Sequence, residues 1–432
     1  SYISSLMESY AKALTYAIPV FLFLIGAEAL WAWRKSVVIN RGADMISSLS
    51  SGMSNILKDV LGLSIAVVSY AWLVDRVAIF HISTQWYVWV IAFVAKDFAG
   101  YWIHRLEHTI NIFWNRHIIH HSSEEFNLSC ALRQSISEVF SFVGLFLLPA
   151  ALIGVPAEII AVIAPIQLFA QFWYHTRLID KMGWLEKIMV TPSHHRVHHA
   201  INAEYIDKNY GQIFILWDKL FGTFQPEVKD IPPVYGVKRP VHTWNPFLIG
   251  IQHVWQILKD AIHTRHWKDK LTIWFKPTGW RPEDVISRYP IQVIPDVYHF
   301  QKYDTQVRGL LLAWSWTQIT MLLIMTMDLF LRFGDIGFPG VLYYGGFLFV
   351  SIFCMTALMD RAWYTPLAEV IRAALLVYVY LKSDFDWFGL KSTWATGPFV
   401  VLAYITIAVG MSMYFHFYEN QRFKSGVSPF NA

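Results

Sequence analysis

Apolar runs of about 20 residues recur along this chain, and no other feature constrains its fold as much. They lie at about 12–33, 59–80, 84–106, 132–153, 157–176, 305–332, 338–359, 366–382 and 397–418. A helix needs roughly 20 such residues to cross about 30 Å of hydrocarbon. The direct reading is an all-α, polytopic integral membrane protein with about nine transmembrane helices. The runs at 132–153 and 157–176 meet in a tight turn at Gly154–Pro156. That pair is either two crossings or one re-entrant hairpin.

Composition points the same way. Hydrophobic residues make up 55% and charged residues 15%, against roughly 25% charged in a soluble domain. A soluble enzyme of this length lacks the charge to cover its surface, and a disordered chain is excluded. The 20 Trp and 21 Tyr are types that collect at bilayer interfaces. A net charge of +4 gives no argument for a nucleic-acid partner. Cys130 and Cys354 form neither a zinc spacing nor a disulfide framework. Tyr2–Tyr16, with Glu8 and Lys12, has no cleavable signal pattern.

Charge sets the expected orientation. Connections at 34–58, 105–131 and 177–304 carry Arg34, Lys35, Arg41, Lys58, Arg105, Arg116 and a long basic series. Loops near 81–84, 154–156 and 333–337 carry no Lys or Arg. The basic side is then cytosolic, with the N terminus outside. Four regions follow: N-terminal helices (1–83), a histidine-rich region (84–225), a cytosolic or interfacial segment (226–304) and C-terminal helices (305–432). Within the third, Phe247, Leu248, Ile251, Val254, Trp255, Leu258 and Ile262 share one helical face. That is the pattern of a helix in the membrane interface or of a core helix in a small cap.

Ten of the 17 histidines fall between His104 and His199. They form H-x3-H (His104, His108), H-x2-H-H (His117, His120, His121), His175, and H-H-x2-H-H (His194, His195, His198, His199). A lone histidine is usually structural; this repetition is not. Residues at i, i+3 and i+4 share a helix face, so each group aims its imidazoles together. Eight or nine imidazoles exceed one metal, and a two-metal site is the natural count. The other seven, His81, His242, His253, His263, His266, His299 and His416, show no such pattern and read as structural or surface residues.

Polar residues in the flanking spans support one site. Asp97, Tyr101, His104 and His108 line one face, as do Gln167, Gln171 and His175. Asp97 and Gln171 are candidates to hold the second nitrogen of a metal-bound imidazole. Arg133, Gln134 and Glu138 are placed to do the same. Zinc hydrolases generally use about three protein ligands and a carboxylate base. An all-imidazole two-metal cage suits iron, dioxygen and the C–H bond of an aliphatic lipid. Trp102 and the aromatics at 169–174 are candidates to line a lipid path. A metal transporter would carry its ligands at mid-membrane, whereas these cluster at one side.

The histidine pattern resembles the fatty acid hydroxylase / sterol desaturase superfamily of membrane di-iron enzymes. Asp97–His108, His120–Glu124 with Asn127–Ser129, and Ala131–Ser135 look closer to its alkylglycerol monooxygenase branch. Gln171–Thr176, Thr191–His199, Ile206–Tyr210, Trp217–Lys219 and Phe221–Phe224 continue that likeness. It is dense over about 84–225. The resemblance implies two iron ions held by His104, His108, His117, His120, His121, His195, His198 and His199. His175 joins them by position, and His194 is a tenth ligand or a supporting group. It implies a lipid monooxygenase that uses O2 and tetrahydrobiopterin to hydroxylate the ether carbon of an alkylglycerol, releasing an aldehyde. Asp97, Glu107, Gln171 and His194 are the accompanying catalytic candidates. That branch has a Glu directly after the second His; here Thr109 stands there, and Glu107 precedes His108. A small electron-carrier protein and a sterol or fatty-acyl substrate form the alternative. The expected address is the endoplasmic reticulum or bacterial inner membrane, with the site facing the cytosol.

Overall fold

The computed structural model describes residues 2–420 apart from Val67, His81, Glu138 and Val139. The expectations for Glu138 and His81 therefore fall outside the described residues. Helices dominate. The described strands are Ile65–Ala66 and Phe140–Ser141, paired in parallel with Ile65 opposite Phe140.

Four described helices are long and apolar enough to cross a membrane: Met7–Arg34, Gly309–Leu331, Gly340–Met359 and Gly397–Glu419. The last three pack with Thr365–Lys382 into a C-terminal bundle around Leu322, Leu329, Phe347, Ile352 and Ile405. Thr365–Lys382 carries a fully buried ion pair, Arg372 Nη2 to Glu369 Oε2 at 2.6 Å. Ser412 donates to the other Glu369 oxygen at 2.7 Å. Charges at such a depth face the bundle interior because lipid solvates neither partner.

Two apolar runs are not continuous helices. The run at about 59–80 breaks after Val60, where Gly62 takes φ +66°. It resumes only as the short helix Tyr70–Val77. The run at about 132–153 ends in two short helices, Val143–Phe146 and Leu148–Leu152. Its polar start is drawn inward instead: Ser51 Oγ donates to the Gln134 carbonyl at 2.8 Å, and Arg133 pairs with Asp44 at 2.9 Å. The turn before Ala157–Ala170 needs Gly154. Its φ is +79°, and a Cβ there would sit 1.8 Å from the Phe80 carbonyl oxygen.

Gly42–Val60, expected as a connection, is a helix that joins the two halves. Its small buried residues Ser47, Ser48, Ser50, Ser51 and Ser54 permit close approach on several sides. Gly52 lies so near the Leu132 carbonyl that a Cβ would meet it at 2.9 Å.

The Pro246–His263 helix begins where the Asn245 side chain accepts from Phe247 N and Leu248 N. Pro246 fits the first helical position because its missing N–H has no partner to lose. Ile249, His253, Ile257 and Ala261 are buried on the side toward Asn111–His121. Ile251, Trp255, Leu258 and Ile262 point outward and are exposed.

Candidate metal centre

Two helices bring the first five histidines together. Trp86–Thr109 carries His104 and His108, and Asn111–His121 carries His117, His120 and His121. Ile110 alone separates them, in extended conformation (φ −114°, ψ 127°). That one-residue break folds the second helix back so that both sets face each other. The segment at 226–304 holds the fold-back. Asn111 N donates to the Lys276 carbonyl at 2.9 Å, and Asn115 exchanges bonds with Gly250 O and Val254 N. Pro192–His198 brings its own histidines from the opposite side, and His175 follows the Ala157–Ala170 helix.

The imidazoles form two groups: His104, His108, His117, His121 and His198; and His120, His175, His195 and His199. Within each group the ligand atoms all lie within 4.8 Å of one another. The two cages adjoin, for His121 and His199 stack with centroids 4.3 Å apart. The grouping differs from the simple face expectation. Three i, i+4 pairs (104/108, 117/121 and 195/199) each share a cage, a fourth (194/198) does not, and His120 and His198 join the cage opposite their sequence neighbours. Adjacent side chains on a helix diverge by about 100°, so His120 and His121 reach different centres.

The outer ring nitrogens are held from behind. Nδ1 of His104 donates to the Tyr210 carbonyl (2.8 Å), of His120 to Arg133 (3.2 Å), of His175 to Gln171 (2.9 Å) and of His198 to Lys208 (3.0 Å). A carbonyl only accepts, so each Nδ1 carries the proton and each Nε2 is a bare lone pair. Carboxylates stand behind two more rings, Glu107 at 3.5 Å from His117 Nδ1 and Asp207 at 3.7 Å from His108 Nδ1.

The Nε2 atoms converge. Separations are 3.0 Å for His104–His117, 3.2 Å for His108–His121, 3.3 Å for His120–His175, 2.8 Å for His175–His195 and 3.0 Å for His195–His199. His198 Nε2 is buried with no protein partner. Two ligands at right angles, each about 2.1 Å from one cation, stand about 3.0 Å apart. His120 and His175, both protonated at Nδ1, face each other with Nε2 lone pairs, which repel at 3.3 Å unless a cation lies between them. The donor set therefore fits one metal ion in each cage.

Electrostatics supports neutral ligands. Burial, then the neighbouring imidazoles, hold His117, His121, His195, His198 and His199 well below the ordinary histidine value. His120 is pulled down to about 3 by the same causes. Trp114, Phe126, Tyr174 and Tyr210 wall the cages, with Tyr174 4.3 Å from His195 and Trp114 5.0 Å from His108.

The remaining candidates lie farther out. Asp97 touches no imidazole; it accepts from Ile213 N, Phe214 N and Trp217 Nε1 at 2.9, 3.1 and 2.8 Å. It stands about 10 Å along the helix axis from His104 and anchors the loop after Tyr210. Gln171 acts through its backbone carbonyl, its side chain bonding back to Gln167 O. Glu107 sits against His117 and 3.6 Å from Arg116. His194 is in neither cage: its ring lies 5.6 Å from Phe224 and beside Thr191. Trp102 packs on Phe98, Tyr101 and Phe221, away from the metal ligands.

Sequence reasoning missed the loop that presents the Lys208 and Tyr210 carbonyls. Asp207 and Asn209 take φ +59° and +56°. Asn209 closes the loop on His194 O and Gln225 O. Asp218 accepts from Tyr210 N and Gly211 N at 2.7 Å each. The available signal was the Asp and Asn pair, types that tolerate left-handed backbone.

A helical membrane chain with two adjoining imidazole cages defines a histidine-rich membrane oxidoreductase, and the fatty acid hydroxylase pattern matches residues 89–223. That stretch contains every imidazole of both cages. The chain belongs to the alkylglycerol monooxygenase family. It is 34% identical to the alkylglycerol monooxygenase of Xenopus tropicalis over 82% of this chain and 79% of that protein. It is 32% identical to the Homo sapiens protein (87% and 84%) and 33% to the Danio rerio protein (87% and 83%). No solved structure matches the chain. The chain is accordingly a membrane lipid monooxygenase.

Proposed function

We propose that this chain holds two iron ions and hydroxylates the ether-bearing carbon of an alkylglycerol. The observation that carries the reading is the pair of adjoining cages, one of five imidazoles and one of four. Zinc is usually satisfied by four ligands, or three with a water. Nine neutral ligands leave two cations strongly positive, a setting suited to redox iron. When bound, the iron pair supplies dioxygen activation, the step no side chain performs.

The protein's own residues do the rest. The carbonyls of Arg133, Gln171, Lys208 and Tyr210 keep the imidazole lone pairs turned inward. Glu107 and Asp207 place negative charge behind one cage. The aromatic walls exclude water from the reacting carbon. Hydroxylation of the ether carbon gives a hemiacetal, which separates into an aldehyde and a glycerol derivative. Asp97 and Asp218 are positioning residues for the loop, and His194 supports the Pro192–His198 turn.

Tetrahydrobiopterin is the proposed reductant. Thr109 favours a second reading, because its hydroxyl is turned back onto the Arg105 carbonyl at 2.8 Å and offers the site no carboxylate. In that reading a carrier protein supplies electrons and the substrate is a sterol or acyl lipid. We place residues 84–225 as the catalytic region and 226–304 as its brace. The site faces the cytosol at the endoplasmic reticulum or a bacterial inner membrane.

The test is aldehyde release by the purified, iron-loaded protein from an alkylglycerol under O2. Tetrahydrobiopterin and a reduced electron-carrier protein are supplied in separate arms. Aldehyde in the pterin arm is the expected result. Its absence from both arms contradicts ether cleavage.

A further inference from the structure

One cavity stands apart from the cages and from the chemistry above. It measures about 430 Å³ and opens between the Pro246–His263 helix, residues 239–242 and residues 289–292. Its charge is one-sided. Among the described residues the only acid in its walls is Asp260. That carboxylate is already taken by Arg281, whose Nε and Nη2 donate at 2.6 and 2.9 Å, and by Gln256 Nε2 at 2.7 Å. Arg239 and Lys259 also face the cavity, and no wall carboxylate remains for them. Arg239 spends one N–H on Gln256 Oε1 at 2.9 Å, and a guanidinium has five. Burial, together with the nearby Arg281, lowers the Arg239 pKa. Arg239 and Lys259 in the wall and Arg281 behind it are three cations against the one Asp260 carboxylate, an imbalance that an anion offsets.

The cavity also has a particular neighbour. Gln252, Gln256, Lys259 and His263 follow one another at i, i+4, i+7 and i+11 along its wall. Ile251, Trp255, Leu258 and Ile262 repeat that spacing one residue earlier, so they lie about 100° around the helix. All four are exposed, and so are Trp267, Leu271 and Phe275 just beyond. The third face of the helix packs on the histidine-bearing Asn111–His121 helix. Lys270 Nζ lies 5.7 Å over the Trp267 ring and donates to the Ala261 and Ile262 carbonyls at the end of the helix. An exposed apolar row with Trp and Lys at its edge is the signature of a helix lying in a bilayer surface. Basic pockets at that level take lipid headgroups.

We propose that this cavity binds the phosphate of an anionic lipid headgroup, with Arg239 and Lys259 as its cationic partners and the Ile251–Ile262 row in the adjoining acyl layer. The observations ask two things of the occupant: negative charge at the cavity and an apolar tail beside it. A soluble phosphate compound meets only the first.

The test uses the full chain in neutral detergent, offered phosphatidic acid or phosphatidylcholine, with retained lipid counted by native mass spectrometry. Wild type is expected to keep about one phosphatidic acid per chain, to prefer it over phosphatidylcholine, and to hold it against millimolar inorganic phosphate. The Arg239→Gln/Lys259→Gln double variant should weaken retention about 30-fold. Lys259→Gln alone, at a partly exposed position, should weaken it several-fold with an unchanged melting temperature, which separates binding from folding. Trp255→Ser should weaken phosphatidic acid as well. Equal retention by Lys259→Gln and wild type overturns the site. Equal retention of phosphatidylcholine overturns the anion, and displacement by inorganic phosphate overturns the lipid in favour of a soluble phosphate compound.

Discussion

His120 and His121 are neighbours in sequence and belong to different imidazole cages. His121 Nε2 lies 3.2 Å from His108 Nε2, whereas His120 Nε2 lies 3.3 Å from His175 Nε2. The same division separates His198 from His199. The dipeptides His120-His121 and His198-His199 therefore each link the two cages.

Replacing one member of the pair should empty one cage. His121→Ala and His120→Ala are each expected to reduce bound metal from two ions to about one and turnover by at least about 100-fold. Helical circular dichroism should stay unchanged. Elemental analysis of each purified variant checks this, and two tightly held ions in either variant would remove that residue from the ligand set.

Asp218 reaches the five-imidazole cage through Tyr210. Its carboxylate holds Tyr210 N and Gly211 N, and the Tyr210 carbonyl holds His104. Asp218→Asn puts an amide where two backbone N–H groups need an acceptor. Metal affinity of the five-imidazole cage should fall about 10- to 100-fold, with the four-imidazole cage spared. Competitive chelator titration measures both; equal loss from both cages would mean a general folding defect.

Gly154→Ala is a stability prediction. The left-handed backbone alone costs a residue with a Cβ about 1–2 kcal/mol. The contact with the Phe80 carbonyl adds to that, because the obstacle is main chain. The thermal unfolding midpoint should drop clearly, while Gly346→Ala, at a glycine with open space around it, should leave it nearly unchanged.

The metal-free protein should lose stability in acid. His120 and His253 have pKa values lowered to about 3 and about 4, chiefly by burial. Between those values and the ordinary 6.5 the unfolded chain binds more protons than the folded one, so stability falls as pH falls through that window. Glu124 and Asp360, raised by burial to about 7 and about 6, act oppositely and favour the protonated, lower-pH state. Burial raises Glu125 and Asp218 as well, but the buried imidazoles lowered by it outnumber these acids. The melting temperature of metal-free protein should therefore decrease from about pH 7 to about pH 5, and a flat or rising profile would contradict the balance.

Much of the site was legible in the sequence because ligation depends on spacing. The i, i+4 recurrences named the imidazoles that share a cage. The division between cages was not legible, since it depends on how two helices meet at Ile110. Nor were the holding groups, because Tyr210 and Lys208 act through backbone carbonyls that any residue carries. Asp97 had the right face and the wrong height on its helix. In the fold, length and hydropathy identified the four long apolar helices. They could not distinguish them from the run at about 132–153, whose polar start bonds to Gly42–Val60 instead of continuing a helix.

The central claim is that nine imidazoles hold two metal ions. It is tested most directly by iron content per chain in the purified full-length protein after reconstitution and removal of loose metal. The account predicts two tightly held irons per chain. One weakly held ion, unaffected by His120→Ala or His198→Ala, would contradict it.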